Sequence, residues 1–436
     1  MPYDIIIGRD KEDKKNFGKK GLVYIGKGYV TMGNYTSLSN KIWLDIARTH
    51  IILIAGKRGS GKSYSIGVLA EELSDLPQEE RKNIASLIFD TMGIFWTMRY
   101  KNEKESLMLE DWELKTKSLP VIIWVPTGYY DEFIKKEIPA DKKFALAASE
   151  LSIEDWVSMF KLDMISPVSI LIQKVIAELS QKKDFYLDEI IQEIRNNKDS
   201  DEQTKKSAVS LFEAAESWKV FAGKTEHPTK IEELIVPGKT TVLDMSVYSS
   251  TATFNVRALI IGLICKKLFN ERMLARKKEE VKSIQHGLNV SYEEKKEMPL
   301  VWLFLDEAHE FLPVYEKTPA SDALIQLLRE GRQPGISMVL ATQQPGVIHR
   351  DVMTQSDIVI SHRLTNKEDI TALNTMMQTY MLEGITKSMN LLPDLKGSAI
   401  LLDDNSERLY PVRIRPRFTW HGGEAPRAVS YVKEEE

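Results

Sequence analysis

Eight consecutive residues, Gly56-Lys57-Arg58-Gly59-Ser60-Gly61-Lys62-Ser63, satisfy G-x-x-x-x-G-K-[ST] at every fixed position. The glycines let successive backbone N–H groups curl around phosphate oxygens without Cβ clashes. A helix starting near Lys62 would add the positive end of its dipole at the same place. Lys62 is expected to reach the β- and γ-phosphates of ATP, and the Ser63 hydroxyl to ligate Mg2+. Tyr64, the first residue of the helical pattern 64–73, completes the expected nucleotide contacts. A glycine-rich loop with a surface lysine is the plain alternative. A full match arises by chance in only about one in a hundred chains of this length.

A second chemical group follows far downstream. Leu303-Phe304-Leu305-Asp306-Glu307-Ala308-His309 sets two carboxylates at the end of an apolar run. Asp306 is the expected Mg2+ ligand, acting through water. Glu307 is the expected polariser of the attacking water, which separates hydrolysis from nucleotide binding alone. Without the upstream loop the pair would read as a helix cap about as well. His309 reads as an ordinary helix residue. Asp90 ends another run and has two equal readings, as a border of the nucleotide site or as the start of a turn to Gly93. The run 337–341 leads into Thr342-Gln343-Gln344-Pro345. Gln343 at that tip can hydrogen-bond the γ-phosphate or the attacking water and report hydrolysis to the next loop. Leu328-Arg329-Glu330-Gly331-Arg332 closes a helix with two arginines, a placement favourable in any protein.

These groups need a scaffold that brings strand ends together. Residues 51–55, 84–89, 121–125, 240–243, 300–305, 337–341, 358–361 and 399–402 are short apolar runs without alternation. Such runs are strands buried on both faces of a parallel sheet. With helical patterns between them they predict the α/β class. From about residue 130 to 237 amphipathic helices take over, at 153–162, 167–181, 187–196 and 202–223, which predicts a helical insertion. The first 50 residues predict strands at 4–8 and 21–32 around a charged turn, 9–20. They form either a small β element before the main domain or strands added to its sheet. Residues 272–296 predict a helix end and an exposed loop, and the basic, then glycine-rich stretch from Arg408 predicts a frayed end.

Composition narrows the function classes. The chain has 436 residues, of which 43% are hydrophobic and 28% charged, enough for a sizeable core. The single cysteine, Cys265, excludes a disulfide framework and any cysteine-rich metal site. With 59 Lys+Arg against 63 Asp+Glu there is no global basic field, so nucleic acid would be gripped by a local basic surface. His349-Arg350 and the lysines of 101–104 are candidates. No apolar stretch approaches the roughly 20 residues of a membrane span. Met1-Pro2-Tyr3-Asp4 does not open a signal peptide, so the expected setting is cytoplasmic, away from membranes.

Taken in order, five segments resemble the HerA branch of the HerA/FtsK superfamily, hexameric DNA-translocating ATPases of archaea and bacteria. They are the 56–63 loop, Asp306-Glu307-Ala308-His309-Glu310-Phe311-Leu312-Pro313, Arg329-Glu330-Gly331-Arg332, Ala341-Thr342-Gln343-Gln344-Pro345 and His362-Arg363-Leu364-Thr365-Asn366. Arg415-Pro416-Arg417 and His421-Gly422-Gly423 look like that family's C-terminal tail. The resemblance covers most of 46–423. It implies a RecA-like P-loop NTPase fold, a homo-hexamer with ATP sites between subunits, and duplex DNA in a central pore. It also implies Arg332 as the finger entering the neighbour's site and Gln343 as the sensor. A NurA-type nuclease or another effector is the implied partner in DNA end processing or repair. Residues 1–45 are then a reduced N-terminal β element, 46–423 the ATPase domain with its insertion, and 424–436 a tail. The alternative function is an ATPase motor or scaffold in a defence or secretion/conjugation complex, without DNA unwinding.

Overall fold

Ile51–Ala55 is buried along its whole length because both faces of its sheet are covered. Ile51, Leu53 and Ala55 join one hydrophobic cluster, while Ile52 and Ile54 join the cluster on the opposite face. A strand in this position has no solvent side and therefore no alternation. Each fully buried Ile or Leu contributes about 1.5–3 kcal/mol.

The computed structural model describes residues 3–32, 35–182, 184–249, 254–286, 297–376, 389 and 392–424. Among these, 13 strands form one sheet. In chain order they are β1 (Ile5–Ile7), β2 (Leu22–Met32), β3 (Tyr35–Asp45), β4 (Ile51–Ala55), β5 (Ile84–Asp90), β6 (Ile122–Pro126) and β7 (Lys142–Phe144). There follow β8 (Thr240–Asp244), β9 (Leu300–Leu305), β10 (Ile336–Thr342), β11 (Ile358–His362), β12 (Ser398–Asp403) and β13 (Arg408–Ile414). Their spatial order is β1-β3-β2-β13-β12-β11-β4-β10-β9-β5-β8-β6-β7. From β11 to β7 all neighbours are parallel. On the other side β12, β13, β2 and β3 continue the sheet antiparallel, and β1 pairs parallel with β3. The eight apolar runs are all strands, and the α/β class with a mainly parallel sheet follows from them.

Helices Ile153–Met159, Pro167–Leu179, Leu187–Asn196 and Glu202–Ser217 lie between β7 and β8. Two of them stop short of the periodic pattern because Lys161 and Lys219 take positive φ, 52° and 56°, and end the helical path. They pack around Trp156, whose ring lies 5.6 Å from Phe160, 5.0 Å from Phe212 and 5.5 Å from Phe221.

Three local expectations are corrected. Within the charged turn 9–20, Lys11–Phe17 is a helix, because the Asp10 side chain accepts from Asp13 N at 2.7 Å and caps it. Glu12 and Asp13 start this helix and Lys14 and Lys15 end it, matching the helix dipole. Within 272–296, the helix Val256–His286 runs on well past Arg272. Arg272 is buried and donates to the carbonyls of Pro334 and Met298, each at 2.7 Å. The rest of that stretch, 287–296, lies outside the described residues. Cys265 is buried in the same helix. No helix among the described residues is long and apolar enough to cross a membrane.

The third correction is the segment from Arg408, which is not frayed up to residue 424. It forms β13 and then lies across the helix Lys62–Ser74. Glu71 on that helix is fully buried and accepts from Arg415 Nη1 at 3.0 Å, Arg417 Nε at 3.0 Å, Phe418 N at 2.9 Å and Thr419 N at 3.1 Å. Burial alone would raise the Glu71 pKa, but Arg417 and Arg415 outweigh it and hold the carboxyl below its usual range. A Cβ on Gly67 would lie 2.4 Å from Arg417 Nη1, so only glycine admits this arginine. Glu71→Ala leaves the fully buried Arg417 guanidinium without its carboxylate and Arg415 with Glu72 alone, 2.8 Å away. Its denaturant midpoint should fall by the equivalent of about 3–5 kcal/mol. A loss under about 1 kcal/mol would show that the pair is not what seats this segment.

Candidate active site

β4 ends in the 56–63 loop, which is tied down by Gly56 N to Thr342 O at 3.3 Å and Lys57 N to Arg363 O at 3.1 Å. Both anchors are the tips of neighbouring strands. A Cβ on Gly56 would meet Ser60 Oγ at 2.4 Å and His362 Cβ at 2.8 Å, and Gly61 sits at φ 115°, so the tight curl needs glycine at both. The helix Lys62–Ser74 starts directly from this loop, its first turn closed by Ser65 N to Gly61 O at 2.9 Å. The Lys62 side chain is buried within the curl, its Nζ 3.4 Å from Lys57 O. Lys57, Arg58 and Gly59 form the exposed outer side, and Ser60 closes the curl onto Lys57 O at 2.8 Å.

Two further side chains hold this loop from below. His362 Nδ1 faces the Ser398 carbonyl at 3.1 Å and Nε2 faces Ser65 Oγ at 2.8 Å. A carbonyl only accepts, so Nδ1 carries the proton and Nε2 accepts from the Ser65 hydroxyl. Burial pushes the His362 pKa down to about 4, which agrees with this neutral ring. The Tyr64 hydroxyl donates to Glu105 Oε2 at 2.8 Å and accepts from Arg417 N at 2.7 Å. Its side chain therefore faces the C-terminal segment.

β9 runs parallel to β10 and delivers the two acids to the loop. Ser63 Oγ donates to Asp306 Oδ2 at 2.5 Å. Glu307 takes a left-handed conformation, φ 51°, which turns the chain sharply into the short helix Ala308–Glu310. Its Oε2 is buried and makes no hydrogen bond. Burial, and then the Asp306 charge, push the Glu307 pKa up to about 7. Burial also raises Asp306, against the Ser63 hydrogen bond. The Gln343 backbone N–H faces the Glu307 carboxylate, so the sensor candidate and the catalytic candidate meet.

His309, read from sequence as an ordinary helix residue, joins these strand tips. Its Nδ1 lies 3.1 Å from Thr342 Oγ1 and 3.6 Å from Glu307 Oε2. Gln344 N donates to the same Thr342 hydroxyl at 3.0 Å, so this hydroxyl links the His309 ring to the start of the next loop. Burial, and then the Lys62 charge, lower the His309 pKa, consistent with a neutral ring.

The residues present fit Mg2+. Ser63 and Asp306 are adjacent hard-oxygen groups at the loop. No group of three or more His, Cys, Asp or Glu able to hold a metal occurs among the described residues. Mg2+ is typically bound by one or two carboxylates plus phosphate oxygens and water, which suits such a sparse set.

Asp90 ends β5 beside the acidic strand end, since Phe89 pairs with Leu305. Asp90 accepts from Gly93 N at 2.8 Å and Phe95 N at 2.7 Å, so its carboxylate builds the turn. Arg329 pairs with Asp351 at 2.6 Å. Arg332 is tied to the start of β4, where Thr49 Oγ1 meets its carbonyl at 3.5 Å, and its Nη2 lies 3.4 Å from Asp357 Oδ2. It stands at the N-terminal edge of the parallel strands, whereas the 56–63 loop stands at their C-terminal edge. The length of β4, about 16 Å, separates the two. Of the basic groups suggested for DNA, His349 caps the helix Arg350–Gln355 and Lys104 pairs with Glu424, while Arg350 is exposed.

Residues 28–268 match the family described as "Helicase HerA, central domain" (DUF87). A probable DNA double-strand break repair helicase HerA of Methanocaldococcus jannaschii is 26% identical over 377 residues, covering 80% of this chain and 69% of that protein. The HerA repair helicase of Pyrococcus furiosus is 26% identical over 185 residues, covering 38% and 31%. Among solved structures, VirB4 of Thermoanaerobacter pseudethanolicus superposes with a TM-score of 0.56 at 11% identity, covering 91% of this chain and 97% of that one. The bacterial conjugative coupling protein TrwBdeltaN70 gives 0.50 at 12%, covering 95% and 94%. At such identities the likeness is one of fold, the RecA-like α/β arrangement of P-loop NTPases.

Proposed function

This chain belongs to the HerA central-domain family, and we propose that it is an ATP-driven DNA translocase working as a homo-hexameric ring. The observation that carries the reading is the buried Glu307 oxygen, without a protein hydrogen-bond partner, beside the Ser63–Asp306 pair at the mouth of the 56–63 loop. A carboxylate oxygen buried without a donor is costly unless a ligand or water completes it. In the proposed reaction the loop N–H groups and Lys62 grip the β- and γ-phosphates of ATP. Mg2+ held by Ser63 and Asp306 would supply neutralisation of phosphate charge. Glu307 polarises the attacking water and takes up its proton. Gln343, with Thr342 and His309 at the adjoining tips, carries the change at Glu307 into the next loop. Arg332 of each subunit completes the site of its neighbour. DNA end processing beside a NurA-type nuclease or another effector, in the cytoplasm, belongs to the same proposal.

The test is turnover with and without linear duplex DNA, together with native mass. Duplex DNA should raise the ATPase rate, and the intact assembly should weigh six chains. Raising salt from about 50 to 200 mM should weaken DNA binding by about 10³-fold or more if six or more phosphates are contacted, because released counterions set the slope. ATP binding should change far less. If neither duplex nor single-stranded DNA alters turnover at low salt, the translocase reading fails and a motor or scaffold without DNA movement replaces it.

A further inference from the structure

At the N-terminal edge of the strands, opposite the nucleotide loop, five charged side chains alternate in sign. Arg9 Nε donates to Asp45 Oδ1 at 2.9 Å. Asp45 Oδ2 lies 3.5 Å from His50 Nε2, and His50 Nδ1 lies 2.7 Å from Asp357 Oδ2. That same Asp357 oxygen faces Arg332 Nη2 at 3.4 Å. Arg9, Asp45 and His50 are almost wholly buried, whereas the Arg332 side chain is 57% exposed. Gly8 leaves room for the histidine, since a Cβ there would lie 2.8 Å from His50 Cε1. Asp403 faces the same ring and accepts from Gly8 N at 3.2 Å.

The fixed part of this chain ends at Asp357. Its Oδ1 accepts from Ile51 N at 2.8 Å, so the carboxylate is locked to the first residue of β4. Burial alone would discharge His50, but Asp357 and Asp45 outweigh it and raise its pKa to about 9. Asp357 thus rests against a cation on its buried side and offers its remaining charge outward. An exposed pair such as Asp357–Arg332 adds little stability. Its effect is to restrict where a long, rotamer-rich side chain points.

We infer that Asp357, held in place by His50 and Asp45, is a positioning residue that presents Arg332 to the neighbouring subunit's ATP site. The inference rests on the reading of Arg332 as an arginine acting between subunits. Arg329, the other arginine of the same segment, pairs among the described residues with the helix residue Asp351.

The test uses the full-length assembled protein. Asp357→Asn keeps an oxygen for Ile51 N and removes the charge that faces both Arg332 and His50. Its kcat should fall about three- to tenfold with the KM for ATP within about twofold, the signature of lost orientation. In an Arg332→Ala background, single-turnover hydrolysis should show no further loss from Asp357→Asn. Should the Asn variant not fold, Asp357→Glu, which keeps the charge and shifts it by one methylene, carries the same comparison with a smaller expected loss. An unchanged kcat, or the same fold-loss with and without Arg332, overturns the proposal. Wild-type turnover and its loss in Arg332→Ala are measured alongside. If either fails, the reading beneath fails and this inference falls with it. If both hold, a null result at Asp357 removes this inference alone.

Discussion

Lys62→Ala should bring ATP turnover down by about 10²–10³-fold or more while the fold survives. The amine sits inside the loop's curl, and its hydrogen bond among the described residues is a long one, 3.4 Å to Lys57 O. Removing it therefore deletes little that holds the native state together. Sequence alone suggests an exposed lysine, and the burial matters to the size of the effect. A buried cation at the loop acts on phosphate charge with little competition from water. Lys62 also acts at a distance, since its charge lowers the pKa values of Glu307 and His309. The alanine variant thus loses the phosphate grip and part of what keeps Glu307 ionised. Phosphate release, binding of a fluorescent ATP analogue and the thermal midpoint should be read together. Unchanged turnover in a folded Lys62→Ala protein would remove the phosphate-loop reading and everything built on it.

The parts of the site that were legible in sequence are those whose physics is local. The 56–63 loop needs glycines at fixed spacing, and β4, β9 and β10 need unbroken apolar runs to be buried on both faces. The acids and Gln343 follow because they stand directly after such runs. What could not be read are pairings across the chain. Glu71 meets Arg415 and Arg417 from more than 340 positions away, so two tail arginines look like ordinary solvated charge until the fold closes. His362 under the loop and His309 between the strand tips acquire their roles only from the strand order β11-β4-β10-β9. The ends of the helices Ile153–Met159 and Glu202–Ser217 were overrun because lysine gives no signal for positive φ. The charged segment 9–20 did carry a signal, the Asp10 cap three residues before Asp13, and it can be found by capping rules alone.

Mixing two inactive variants should restore activity if Arg332 works between subunits. Glu307→Gln removes the water-polarising carboxylate and Arg332→Ala removes the finger. Each alone should be nearly inert, since a trans arginine is worth about 10³–10⁵ in rate in comparable enzymes. The geometry favours the trans assignment, because Arg332 and its own 56–63 loop lie at opposite edges of the parallel strands, separated by the length of β4. In a ring of head-to-tail interfaces, each site pairs the loop and Glu307 of one chain with Arg332 of the next. In an equimolar mixed ring, about one interface in four joins an intact Glu307 to an intact Arg332. If sites fire independently, about a quarter of wild-type turnover should return once subunits have exchanged. Mass measurement of tagged mixtures reports that exchange directly. An arginine serving its own chain could never be rescued this way, because every site would still lack one group. Strictly sequential firing around the ring would suppress the recovery even with complete interfaces, so dilution of each variant into wild-type rings should be followed in parallel. A sharp loss from one poisoned subunit per ring would identify that case. Confirmed exchange, graded loss on dilution and no recovery on mixing would together rule the trans arginine out. Recovery would establish the oligomer and the shared site in one measurement.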